Sequence, residues 1–143
     1  MLTATAWTLD AQRLSIGERV PELNISKWLT DAPSLDGKAV MVEFFHSSNQ
    51  KSIDRLRTLD DLARKGGNKL AVVVVTKEDS PEVGAMLTEG APAYSVGYDA
   101  GSTFPDFEAR YVPYAVLYDR RGRILWVGNP TTMKNEDIIG MLK

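Results

Sequence analysis

The stretch Val40 to Ser52, VMVEFFHSSNQKS, runs an apolar strand directly into the start of an amphipathic helix. Met41, Val42, Phe44 and Phe45 have the bulk and β-propensity of a buried strand, whereas Ile53, Leu56, Leu59 and Leu62 recur at the spacing that lines one helix face. Between them lie His46, Ser47, Ser48, Asn49, Gln50, Lys51 and Ser52. Ser47, Ser48 or Asn49 can cap the helix, because a side-chain oxygen at that position accepts from the free N–H groups of the first turn. The remaining N–H groups and the positive end of the helix dipole are then left at the surface, where chemistry is commonly placed.

The rest of the chain alternates strand and helix patterns. Asp31 to Lys38 is dense in turn formers, and Lys65-Gly66-Gly67-Asn68 carries two glycines able to end a helix in the left-handed conformation. The β-branched run Lys69 to Thr76 lacks polar alternation, which predicts a central parallel strand buried on both faces and reached by a βαβ crossover. Ser80-Pro81-Glu82 supplies a cap, a proline and an early acid for a helix over 81–89. A short strand over 94–98 follows, then a loop and short helix over 101–110 with Pro105 in its first turn. Asp119-Arg120-Arg121-Gly122 forms a tight turn into a strand over 123–128, and a last helix covers 133–142.

Two segments carry a resemblance. VMVEFFHSSNQKS resembles the active-site strand and helix of the thioredoxin superfamily, in particular its TlpA-like thiol-disulfide oxidoreductases, where two aromatic residues and a short linker precede Cys-x-x-Cys. Asn49-Gln50-Lys51-Ser52 stands in place of that motif, with Asn49 and Ser52 at the two cysteine positions. Val112-Pro113-Tyr114 through Asp119 resembles the family's Val-Pro-Thr segment, in which the proline is cis and faces the active-site turn; Tyr114 departs from the threonine. The entry segment IGERVPELNISKWL is similar as well. The resemblance covers about residues 16 to 143. It implies an α/β, thioredoxin-like fold, with a central mixed β-sheet flanked by helices, an N-terminal β-hairpin and a strand-helix insertion. Residues 1 to 15 are then an N-terminal arm before one domain over 16–143.

Family members attack a disulfide with a thiolate stabilised by the helix N-terminus, and the second cysteine releases the mixed disulfide. An amide and a hydroxyl can do neither, and the whole chain contains no cysteine. The resemblance therefore implies a redox-inactive domain, with Asn49, Ser52 and Glu43 as vestigial active-site positions. Glu43 matches the buried acid that assists proton transfer to the second cysteine; with no thiol to serve, a buried carboxylate held by hydrogen bonds and a neighbouring cation is the favoured reading. In the family the backbone before the cis proline pairs with an extended substrate chain, which implies a groove for a protein or peptide at Asn49, Gln50, Lys51, Val112 and Pro113. The alternatives are an oxidoreductase homologue acting through a partner's cysteines and a structural domain of a larger assembly. Lys51, inside the first helical turn, could mark an anion-binding corner, although solvation is the plainer reading.

Composition sets the remaining bounds. At 143 residues with 43% hydrophobic content, the chain can bury one core without disulfides or metal. Seventeen basic against nineteen acidic residues, net charge −2, makes no electrostatic case for nucleic acid. Leu70 to Val75, the longest aliphatic run, is too short to cross a bilayer, so no membrane insertion is expected. The segment MLTATAWTLDAQ lacks a basic start and a long apolar stretch and is not read as a signal peptide, although the resemblance favours a periplasmic or otherwise exported protein. His46 is the single histidine, so no metal set is visible, and no cofactor is expected. A serine-histidine pairing of Ser47 or Ser52 with His46 lacks an accompanying oxyanion motif.

Overall fold

The computed structural model describes residues 14 to 143. In chain order it contains β1 (Ala39–Phe45), α1 (Gln50–Gly66), β2 (Leu70–Thr76), α2 (Pro81–Thr88), β3 (Ser95–Gly97), α3 (Thr103–Asp106), β4 (Tyr114–Tyr118), β5 (Ile124–Gly128) and α4 (Asn135–Met141). The five strands form one sheet in the order β3-β2-β1-β4-β5. β1 is parallel to β2 and antiparallel to β4, so the sheet is mixed, and helices flank it. Every residue of β1 and β2 is buried, as their unbroken apolar runs require of central strands.

Alternation along β1 divides the core. Met41 and Phe45 face one side with Leu59 and Leu62 of α1, Leu87 of α2 and Ile138 of α4. Val40, Val42 and Phe44 face the other, against Phe104, Phe107 and Tyr114. Glu43 has the parity of Met41 and Phe45, which puts its carboxylate beneath α1.

Helix ends follow local chemistry with two refinements. Gly67, at φ 55°, is the residue that closes α1, and its N–H donates to Ala63 O. Gly66 is the last helical residue; a Cβ there would come within 2.6 Å of the Leu70 side chain, so its glycine is a packing requirement. The turn after β4 forms as expected, with Gly122 at φ 82° and Asp119 Oδ1 accepting from the N–H groups of Arg121 and Arg123.

Among the described residues the expected N-terminal β-hairpin is not formed as such. Arg19 makes an isolated antiparallel bridge to Arg123 beside β5, and Trp28 makes another to Gly97 of β3. Gly17 N–H donates to Ile124 O, and Val20 N–H to Gly122 O. The segment therefore caps both edges of the sheet instead of pairing with itself. Pro21, which has no N–H to give a ladder, lies between the two bridges. The expected arm over 1–15 lies outside the described residues except for Leu14 and Ser15.

Candidate functional site

The turn after β1 is fixed from three directions. Asn49 is the N-cap of α1: its Oδ1 accepts from Ser52 N–H at 3.0 Å, and its Nδ2 donates to Val112 O at 3.2 Å. One side chain thus closes the helix and ties it to the segment before β4. The Val112–Pro113 bond is cis, and Pro113 is buried.

Glu78, two residues beyond β2, holds the turn from below. Its Oε1 accepts from Ser47 N–H at 2.9 Å and from Thr76 Oγ1 at 3.0 Å, and its Oε2 accepts from Ser47 Oγ. Burial pushes the Glu78 carboxyl up, but the hydroxyl and N–H of Ser47 and the Thr76 hydroxyl outweigh it and hold the group below the ordinary carboxylate range. His46 is used within its own loop, with Nδ1 accepting from Ser48 N–H at 3.1 Å and lying 2.8 Å from Ser48 Oγ.

Beneath the helix, Glu43 is 2% exposed and both its oxygens are engaged: Arg55 Nε donates to Oε2 at 2.9 Å and Arg55 Nη2 to Oε1 at 2.8 Å. Burial pushes the Glu43 carboxyl up, with the Arg55 guanidinium opposing it without cancelling it. This is the paired-carboxylate reading of Glu43, and it leaves no lone carboxylate oxygen turned toward position 52. Ser52 is buried, and its Oγ has no hydrogen-bond partner among the described residues.

Of the residues expected to form a groove, Asn49 and Val112 come together through their hydrogen bond, and Pro113 follows Val112 in the chain and is buried. Gln50 and Lys51 are exposed on the first turn of α1, and Gln50 Nε2 is spent on Asp54 Oδ1 at 2.8 Å. Tyr114, where the resemblance called for threonine, turns into the core: its ring lies 5.7 Å from that of Phe44, and its hydroxyl donates to Phe107 O at 2.9 Å. Burial pushes that phenol up to about 12.

A cleft of about 290 Å³ opens beside Asn49 and Val112, lined also by His46, Lys77, Arg110 and Tyr111. A larger one of about 590 Å³ lies at the opposite end of the sheet, between Asn68, Asp119, Arg121 and Leu142. The larger cleft touches none of the turn residues. Lys77, Glu78, Arg110 and Tyr111 were not singled out from the sequence; the parallel register that sets Phe45 beside Thr76 delivers the first two, and the antiparallel pairing that sets Phe44 beside Tyr114 delivers the last two.

Comparison with solved structures decides the fold. A structure named as a thiol:disulfide interchange protein DsbE from Chlorobium tepidum superposes with TM-score 0.73 at 19% identity, covering 90% of this chain and 95% of that one. The fold is thioredoxin-like. A structure named as a protein disulfide isomerase from Bacteroides thetaiotaomicron gives TM-score 0.70 at 20% identity over 89% of this chain and 87% of that chain. A secreted Mycobacterium tuberculosis disulfide oxidoreductase, homologous to E. coli DsbE, gives 0.67 at 18% identity over 82% and 92%. No family model matches the chain, and no curated protein matches it. The neighbours of this thioredoxin-like domain are thus thiol-disulfide oxidoreductases by name, whereas the chain itself has no cysteine. Among the described residues no helix is long and apolar enough to cross a membrane, and no cluster of three potential metal ligands occurs.

Proposed function

We propose that this thioredoxin-like domain is redox-inactive and works as a protein- or peptide-binding module, with the groove at Asn49, Val112 and Pro113 as its site and Gln50 and Lys51 on the rim. The observation that carries the reading is the Asn49 side chain. It occupies the first cysteine position yet is built into the scaffold as a cap and as a bridge to Val112 O. A carboxamide in that role cannot form a mixed disulfide, but it holds the walls of the groove in register. The Val112 N–H makes no hydrogen bond among the described residues, which leaves a donor for an extended chain laid across the cleft.

Titration of ¹⁵N-labelled protein with a library of extended peptides tests the reading. Shift changes should cluster at Asn49, Tyr111, Val112 and Tyr114. Changes absent there, or confined to the far end of the sheet, would reject the groove. Insulin disulfide reduction should stay at the buffer rate, because the required thiolate is missing.

A further inference from the structure

The cleft beside the groove has a one-sided charge. Lys77 and Arg110 are its charged lining, and no carboxylate lines it, although the chain as a whole is net −2. Lys77 Nζ stands 4.7 Å from the centroid of the Phe104 ring, a contact that directs the ammonium along the cleft wall. Neither Lys77 nor Arg110 forms an ion pair with another described residue. Two acids of the adjoining segments are engaged elsewhere: Glu78 accepts three hydrogen bonds from Ser47 and Thr76, and Glu108 Oε1 accepts from Leu14 N–H. Tyr111, 51% exposed, has its ring packed edge-on against Tyr114 at 5.4 Å and adds apolar surface to the cleft lining.

We infer that the partner is an acidic extended peptide segment: its backbone pairs with Val112, and an Asp or Glu side chain enters the cleft between Lys77 and Arg110. This rests on the groove reading above and adds the chemistry of what the groove accepts. Two unpaired cations facing a cleft without a carboxylate favour an anionic side chain, and a neutral one would forfeit the charge-assisted hydrogen bonds.

Fluorescence anisotropy with three labelled peptides tests it. One carries a central Asp-Glu pair and an amidated C-terminus, the second has Asn-Gln in its place, and the third is the Asn-Gln peptide with a free C-terminus. The acidic peptide should bind about tenfold tighter than its amide counterpart at low salt, with the ratio shrinking as salt rises. Lys77→Gln with Arg110→Gln, both at exposed positions, should abolish the ratio, while Arg120→Gln with Arg121→Gln at the far cleft should preserve it. Equal binding of the acidic and amide peptides, with shifts at Val112, would overturn the charge inference and leave the groove standing. Loss of the ratio through the Arg120/Arg121 pair alone would place the acid in the other cleft and overturn it too. Preference for the free C-terminus over the internal acids would replace it by terminal carboxylate capture. Binding of none of the three would overturn both the inference and the groove.

Discussion

Asn49 Nδ2 donates to Val112 O at 3.2 Å, joining the N-terminus of α1 to the residue before the cis proline across 63 positions of sequence. The same side chain caps the helix through Ser52 N–H. Asn49→Ala removes both bonds and should cost about 1 to 2 kcal/mol, of which the cap is roughly half. Asn49→Ser should recover the cap part, since serine caps well but is too short to span to Val112. Urea unfolding of the three proteins measures this, and an alanine variant as stable as the parent would mean that the bridge does not hold the turn.

Ser52 presents the opposite case. Its hydroxyl is buried without a partner among the described residues, so the folded state carries an unrecovered desolvation cost. Ser52→Ala removes that cost and improves helix propensity, and should raise stability by up to about 1 kcal/mol. A clear loss of stability on thermal melting would show that the hydroxyl is bonded.

Glu43 and Arg55 should behave as a buried pair. Glu43→Gln leaves a guanidinium that is only 7% exposed without its charge partner, a change expected to cost about 3 to 5 kcal/mol. Replacing both, as Glu43→Leu with Arg55→Met, exchanges the pair for apolar volume and should cost far less than the two single changes added. Additive losses in this double-mutant cycle would contradict direct pairing.

Glu78 gives the acid dependence its sign. Its folded pKa is held below the ordinary value of 4.5, so the stability it contributes is present above that value and is lost as pH falls through the folded one. Asp60, lowered chiefly by the Ala93 N–H, and Glu136, lowered chiefly by its own backbone N–H, act in the same direction. Glu78→Gln should therefore melt below the parent at neutral pH, with the gap closing on acidification. A gap constant from pH 7 to about pH 3 would mean that Glu78 is not ionised in the fold.

The fold was legible in the sequence because its strongest signals are local. An aliphatic run buries a central strand, Ser80-Pro81 starts a helix by capping Val83 N–H, and glycine closes turns that need positive φ. The course of residues 16–28 was not legible, since bridging to the edges at Arg123 and Gly97 depends on partners far along the chain. At the site, Asn49 and Val112 could be named from motif positions, but Arg55 could not be assigned to Glu43. The clue was available: Arg55 falls on the helix face of Ser52, Leu59 and Leu62, and a cation on a buried stripe needs an acid beneath it. Glu78 carried no such clue, because only the β1–β2 register delivers it to Ser47.

Restoring two thiols asks whether the chemistry alone is missing. Position 49 is the helix cap facing Val112, and position 52 lies one turn on and is buried. Asn49→Cys with Ser52→Cys should therefore close a disulfide on air oxidation. The free first-turn N–H groups and the helix dipole should pull the thiol at position 49 below the free-cysteine value of about 8.5, with Lys51 acting in the same direction. Disulfide reductase activity should nevertheless stay weak. Deprotonating the buried thiol at position 52 calls for a nearby base, and both oxygens of Glu43 are committed to Arg55. The measurements are thiol count, pH dependence of alkylation and insulin reduction. A folded double variant whose thiols stay free, with ordinary pKa values, would break the correspondence between this turn and a redox turn. Activity equal to that of a true oxidoreductase would instead show that the Glu43–Arg55 pair does not obstruct proton transfer.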